Sequence, residues 1–127
     1  MSGSLLDTNA VVALQRKDAE LMLLLKPDME WFIPAAVLGE LYYGAFNSDR
    51  AADNLQVLAK MEQEISILYV DQTTAKLYGQ VRHRLKLKGR PIPDNDIWIA
   101  ATALQYDLIL LTRDAHFNEV EGLKLAG

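Results

Sequence analysis

Residues 95–112 read NDIWIAATALQYDLILLT. The first twelve form a helical pattern that is apolar nearly all the way round, and 108–112 form a strand with no polar alternation. Such a helix lacks the charged face of a surface helix, and such a strand must be covered on both sides. This one stretch therefore demands a sheet in the middle of the molecule with helices packed against it.

The rest of the chain agrees. Short apolar strands at 4–6 (SLL), 30–33 (EWFI) and 66–70 (SILYV) precede the one at 108–112, and LKL at 123–125 offers a last edge strand. Helical patterns separate them at 9–18, 19–26, 35–48, 49–65, about 74–88 and 95–106. Pro27 closes the second helix, Asp71 and Thr73 offer caps for the fifth, and Gly89 ends it. Strands alternating with helices, and not themselves alternating, predict a parallel sheet covered on both faces. Ligand sites in such folds lie beyond the carboxyl ends of the strands.

Acidic residues stand where a site would lie. Asp7 follows Leu5-Leu6, Glu40 interrupts AAVLGELYYG, Asp96 opens the apolar helix, and Asp114 follows LILLTR. Singly, each has an ordinary structural use. Asp7 can cap a helix, although Thr8 and Asn9 compete for that role. Glu40 can be a solvated helix residue, Asp94 and Asp96 can favour a helix N-terminus, and Asp114 can form a turn. Jointly they read differently. Glu40 has Val37, Tyr43 and Gly44 as helical neighbours rather than a polar face, and Gly44 leaves room beside its carboxylate. Clustered carboxylates raise one another's pKa and persist together only if cations compensate. Oxygen ligands without His or Cys partners suit Mg²⁺ or Mn²⁺ rather than zinc.

LLDTN, ELYYGA, NDIWIAATA and LLTRDAHF, in this order and spacing, resemble the PIN-domain family. The likeness is strongest to the VapC-like toxins of bacterial and archaeal toxin–antitoxin pairs, and it spans Leu5 to about Leu125. It implies a three-layer α/β/α sandwich around a mostly parallel sheet and a metal-dependent endoribonuclease; the length of 127 residues itself suits a single domain over 1–127. Carried over residue by residue, it places the catalytic and metal-binding acids at Asp7, Glu40, Asp96 and Asp114. Thr8, Asn9 and Thr112 fall at supporting positions. The implied cofactor is Mg²⁺ or Mn²⁺, and the implied products carry 5′-phosphate and 3′-hydroxyl ends. The implied partners are an antitoxin, an RNA substrate and a second copy of the toxin. Asp94 departs from the usual pattern and is read as a helix cap. The leader Met1–Ser4 lacks the usual apolar or basic entry to the first strand.

The alternative from another class is a PIN-like module that binds RNA or protein without cleaving. The presence of all four acids argues against it. A phosphatase-type domain would want an Asp-x-Asp pair after the first strand, which DTN does not supply. A histidine-pair ribonuclease would need both His83 and His116 in place, and nothing near either in sequence orients it.

The 17 acidic and 13 basic residues give a net charge of −4, against bulk attraction to nucleic acid. The basic residues concentrate in RHRLKLKGR, where Arg82, Arg84 and Arg90 are candidate phosphate contacts, with a solvated helix face as the other reading. Arg113, beside Asp114, is the best single candidate. AELMLLLK and WF carry apolar bulk that could serve a partner's amphipathic helix or a twin subunit. The absence of cysteine excludes disulfides, thiolate metal sites and a cysteine nucleophile. Apolar runs such as Leu21 to Leu25 are far too short to span a membrane. With no signal-like leader, the expectation is a soluble, cytoplasmic protein.

Overall fold

The computed structural model describes residues 3–24 and 29–126. Five strands, β1 (Gly3–Leu6), β2 (Glu30–Pro34), β3 (Ser66–Leu68), β4 (Ile109–Leu111) and β5 (Leu125–Ala126), form one sheet in the order β3-β2-β1-β4-β5. Every neighbouring pair is parallel, with Leu5 opposite Phe32 on one side and Leu110 on the other. Six helices connect them: α1 (Thr8–Gln15), α2 (Ala19–Leu24), α3 (Ala35–Phe46), α4 (Ala51–Glu64), α5 (Gln72–Lys88) and α6 (Asp94–Tyr106). A short 3₁₀ helix spans Ala115–Glu119. This is the expected α/β/α sandwich around a parallel sheet.

The chain steps outward from β1 to β2 to β3, then returns across the sheet to β4. Right-handed crossovers in opposite directions place α1 to α4 on one face and α5 with α6 on the other. The order reverses between β1 and β4, and their carboxyl ends border the crevice where such sheets bind ligands. The Asp7 amide still reaches the Leu111 carbonyl at 3.5 Å, so the first residues beyond the two strands remain side by side.

Burial explains why these strands are uniformly apolar. Leu5, Leu6, Ile33 and Leu110 are fully covered, each burial contributing about 1.5–3 kcal/mol. In α6, Ile97, Ile99, Ala100, Ala101, Thr102 and Ala103 are all buried, as its apolar circumference requires. Gly3 sits where a Cβ would lie 2.6 Å from the Glu30 carbonyl, so β1 and β2 approach closely only because that residue has no side chain.

Several boundaries differ from the sequence expectation. The helix expected over 9–18 ends at Gln15, since Lys17 adopts a left-handed conformation (φ 58°) and Asp18 turns to cap α2. The close of the second helix at 25–27 lies outside the described residues. The last strand forms two residues later than LKL, where Leu125 and Ala126 pair with Leu110 and Leu111.

A candidate metal centre at the carboxyl edge of the sheet

Asp7 leaves β1 in extended conformation and becomes the N-cap of α1. Its Oδ1 accepts the Ala10 amide at 2.8 Å, and its Oδ2 accepts the hydroxyl of Thr112, which follows β4. Thr8 and Asn9 do not relieve Asp7 of capping, contrary to expectation; Asp7 caps and faces the crevice together. The Thr112 hydroxyl in turn accepts the Asp114 amide at 3.0 Å. Two side chains 105 residues apart in the chain thus fasten the crevice mouth, and both belong to buried residues.

Asp114 also serves two purposes. It caps the 3₁₀ helix, its Oδ1 accepting the His116 amide at 2.9 Å. That tight turn folds the His116 ring back, with Nδ1 3.1 Å from Asp114 Oδ1 and 3.1 Å from Asp96 Oδ2. Asp96, half-buried in the first turn of α6, completes a cluster in which ligand atoms of Asp96, Asp114 and His116 all lie within 4.8 Å of one another. Sequence reasoning missed His116 because its orienting groups come from another element. The one available signal was the Asp-x-His spacing in RDAHF. His83 is different: it lines a cavity of about 590 Å³ between α5 and α6, with Gly79, Arg82 and Ile97.

Glu40 is exposed on α3, so its face is more open than its apolar neighbours implied. Tyr43 and Gly44 beside it are exposed too. Its Oε2 accepts the Thr8 hydroxyl at 2.6 Å. That hydrogen bond ties Glu40 to the residue next to Asp7, at the mouth of a cavity of about 430 Å³ lined by Val12, Leu41, Gly44, Ala45 and Val57. Asn9 is exposed.

Burial pushes the Asp7 carboxyl above the usual range; the Thr112 and Ala10 hydrogen bonds oppose the rise, and the charges of Asp114 and Glu40 add to it. Asp96 is likewise raised, first by burial, with His116 opposing and Asp114 and Asp7 adding. Among the described residues no lysine or arginine pairs with Asp7, Asp96, Asp114 or Glu40. Converging carboxylates, one of them buried, are destabilised by one another unless a cation lies between them. The donor set, mostly hard oxygen, therefore fits a divalent ion.

The basic candidates lie further out. The Arg113 guanidinium turns to Asp18 at 2.7 Å and Glu20 at 3.6 Å, at the start of α2. Arg82 approaches Asp94 at 3.7 Å and donates to the Tyr78 hydroxyl at 2.9 Å. Asp94 is no helix cap; it accepts the Tyr78 hydroxyl at 3.0 Å, and the Tyr78 ring stacks on Trp98 at 4.0 Å. Arg84 lies on the exposed side of α5, and Arg90 just beyond its C-terminus is also exposed.

Comparison with known proteins bears on the chain and its fold as a whole. A model of the PIN domain matches residues 4–123. Ribonuclease VapC1 of Haemophilus influenzae (strain R2866) is 30% identical over 125 residues, covering 94% of this chain and 93% of its own. The tRNA(fMet)-specific endonuclease VapC of Shigella flexneri is 36% identical over 93 residues, covering 72% and 70%. Among solved structures, VapBC2 from Rickettsia felis, bound to a DNA fragment from their promoter, superposes with a TM-score of 0.87 at 27% identity over 99% and 98% of the two chains. The parallel sheet and the acids at its carboxyl edge lead to the same place as these likenesses: the chain belongs to the PIN domain family.

Proposed function

We propose that this chain is a Mg²⁺-dependent endoribonuclease, a single catalytic domain acting in the cytoplasm as the toxin of a toxin–antitoxin pair. What supports the reading is the grouping of Asp96 and Asp114 with His116, the charges of Asp7 and Asp114 bearing on Asp96, and Glu40 tied to Thr8 next to Asp7, with no lysine or arginine paired to these acids among the described residues. Asp7, Glu40, Asp96 and Asp114 would hold the ion. When bound, Mg²⁺ supplies the acidity that activates water and the positive charge that stabilises a phosphodiester under in-line attack. Mn²⁺ would serve in its place.

The protein's own part is positioning. Thr112 and the Ala10 amide hold both oxygens of Asp7, and Thr8 holds Glu40. A fixed carboxylate frame loses less entropy when it captures an ion and substrate. Arg82, Arg84 and Arg90 are the proposed contacts to RNA phosphates, and Arg113 would join them by leaving Asp18 and Glu20. The VapBC2 likeness supports an antitoxin partner. The apolar cavity between α1, α3 and α4 offers its helix a seat beside Glu40. A homodimer, alone or within a larger complex with the antitoxin, is part of the same proposal.

The test is a mixed RNA pool incubated with increasing Mg²⁺, followed by end analysis. Cleavage should require the ion and leave 5′-phosphate and 3′-hydroxyl ends. A single 2′-deoxy substitution at the cleaved position should leave cutting largely intact, because water rather than the 2′-hydroxyl attacks. Full activity in EDTA, or abolition by the 2′-deoxy substitution, would overturn the proposal.

A further inference from the structure

We propose that His116 is itself a metal ligand, its Nδ1 joining Asp96 Oδ2 and Asp114 Oδ1, so that the proposed carboxylate site becomes a mixed nitrogen–oxygen centre. This rests on the proposed metal site and goes beyond it, since the four acids alone would make an all-oxygen centre.

Three observations point to it. The first is spacing. Adjacent ligands held about 2.0–2.2 Å from an octahedral ion lie about 2.8–3.1 Å apart. His116 Nδ1 stands 3.1 Å from each carboxylate oxygen, the separation of neighbouring vertices in such a shell. The second is direction. One ring nitrogen carries one hydrogen or one lone pair, which points along one line. That line meets Asp96 Oδ2, with which Nδ1 makes a hydrogen bond, while Asp114 Oδ1 stands equally near without one, so an ion taking the place of the proton on Nδ1 would lie within reach of both oxygens. The third is how the ring is held. The His116 amide is bonded to Asp114 Oδ1, and the next residue, Phe117, is fully buried under the 3₁₀ helix. The backbone on both sides of the imidazole is therefore anchored, although the ring itself is half exposed and open to an ion.

A nitrogen ligand changes which ion the site prefers. Mg²⁺ strongly favours oxygen donors, whereas first-row transition ions accept imidazole readily. The site should therefore take Mn²⁺ more tightly than Mg²⁺, by an amount that depends on His116. Replacing His116 by Ala should weaken Mn²⁺ binding about tenfold or more while changing Mg²⁺ binding by less than about threefold.

The experiment is Mn²⁺ titration of the whole chain by calorimetry, with pulsed electron paramagnetic resonance on the bound ion. The expected result is a nitrogen hyperfine coupling from directly bound imidazole in the native protein, absent in H116A. His83 lines a separate cavity and cannot supply that signal. The spectrum of the native protein decides the matter even if H116A fails to fold. Bound Mn²⁺ without nitrogen coupling would overturn the inference and leave the carboxylate site standing. Tighter Mn²⁺ binding by H116A would also overturn it, since the ring would then be a competitor for the site. Failure of the native protein to bind Mn²⁺ or Mg²⁺ at all would overturn the underlying metal site as well.

Discussion

Thr112→Val isolates the hinge on which the proposed site turns. The hydroxyl donates to the buried Asp7 carboxylate and accepts from the Asp114 amide; valine keeps the shape and removes both bonds. A hydrogen bond to a charged group contributes about 1.5–3 kcal/mol. The Asp114 amide is partly reachable by water, so its loss adds little. Taking about 2 kcal/mol, and an unfolding entropy of about 2.1 cal/mol/K per residue, the metal-free melting temperature should fall by about 7 °C. Thr112→Ser is the control: it keeps the hydroxyl and should lose only about 0.8 kcal/mol for the methyl group. The deficit should also depend on pH. Thr112 favours ionised Asp7, so its removal raises further a folded-state pKa that burial already holds above 3.8. As pH falls and Asp7 protonates in both proteins, the gap between variant and native protein should narrow. Thermal melts in EDTA at neutral pH and near pH 4 measure both effects. If T112V melts with T112S at neutral pH, the hydroxyl is not what holds Asp7.

Asp7→Asn should leave the metal-free fold at least as stable as the native protein at pH 7. The folded state binds the Asp7 proton more tightly than the unfolded chain, so native stability declines as pH rises through that window, and the amide removes the slope. Saturating Mg²⁺, at about a hundred times its Kd, should stabilise the native protein by about 2.7 kcal/mol and D7N far less; equal stabilisation would remove Asp7 from the site. Asp96→Asn should reduce RNA cleavage by orders of magnitude with an unchanged circular dichroism spectrum, and retention of activity would exclude Asp96 from catalysis. Neutralising Arg82 and Arg84 together should weaken RNA binding across sequences and lower the salt slope by about 0.7 for each phosphate that is no longer neutralised. An unchanged slope would leave these residues as solvated charges.

The sheet was legible because its strands are short, apolar and regularly interrupted. Asp7 and Asp114 could be placed at strand ends from Leu5-Leu6 and LILLT alone. What lies across elements was not legible. Asp7, Thr8 and Asn9 are all good caps in isolation; the extended backbone at the end of β1 gives the role to Asp7. His116 looked unoriented because Asp96 lies 20 residues upstream and meets it only when α6 packs beside the 3₁₀ helix. Arg113 seemed aimed at the site by its place after β4, yet Asp18 and Glu20 at the start of α2 draw it aside. Asp94 found the Tyr78 hydroxyl on α5 instead of a cap, a pairing no local pattern announces.

The union of Asp7 and Thr112 has a bearing on when the protein can become active during synthesis. The second of these residues leaves the ribosome 105 residues after the first, and β4 must insert beside β1 before they meet. A nascent chain that stops before β4 holds Asp7, Glu40 and Asp96 but lacks Thr112, Asp114 and His116. Closing so long a loop is among the slower steps of folding a parallel sheet. The proposed RNA-cutting centre is thus withheld from the translating ribosome by topology until β4 has been delivered.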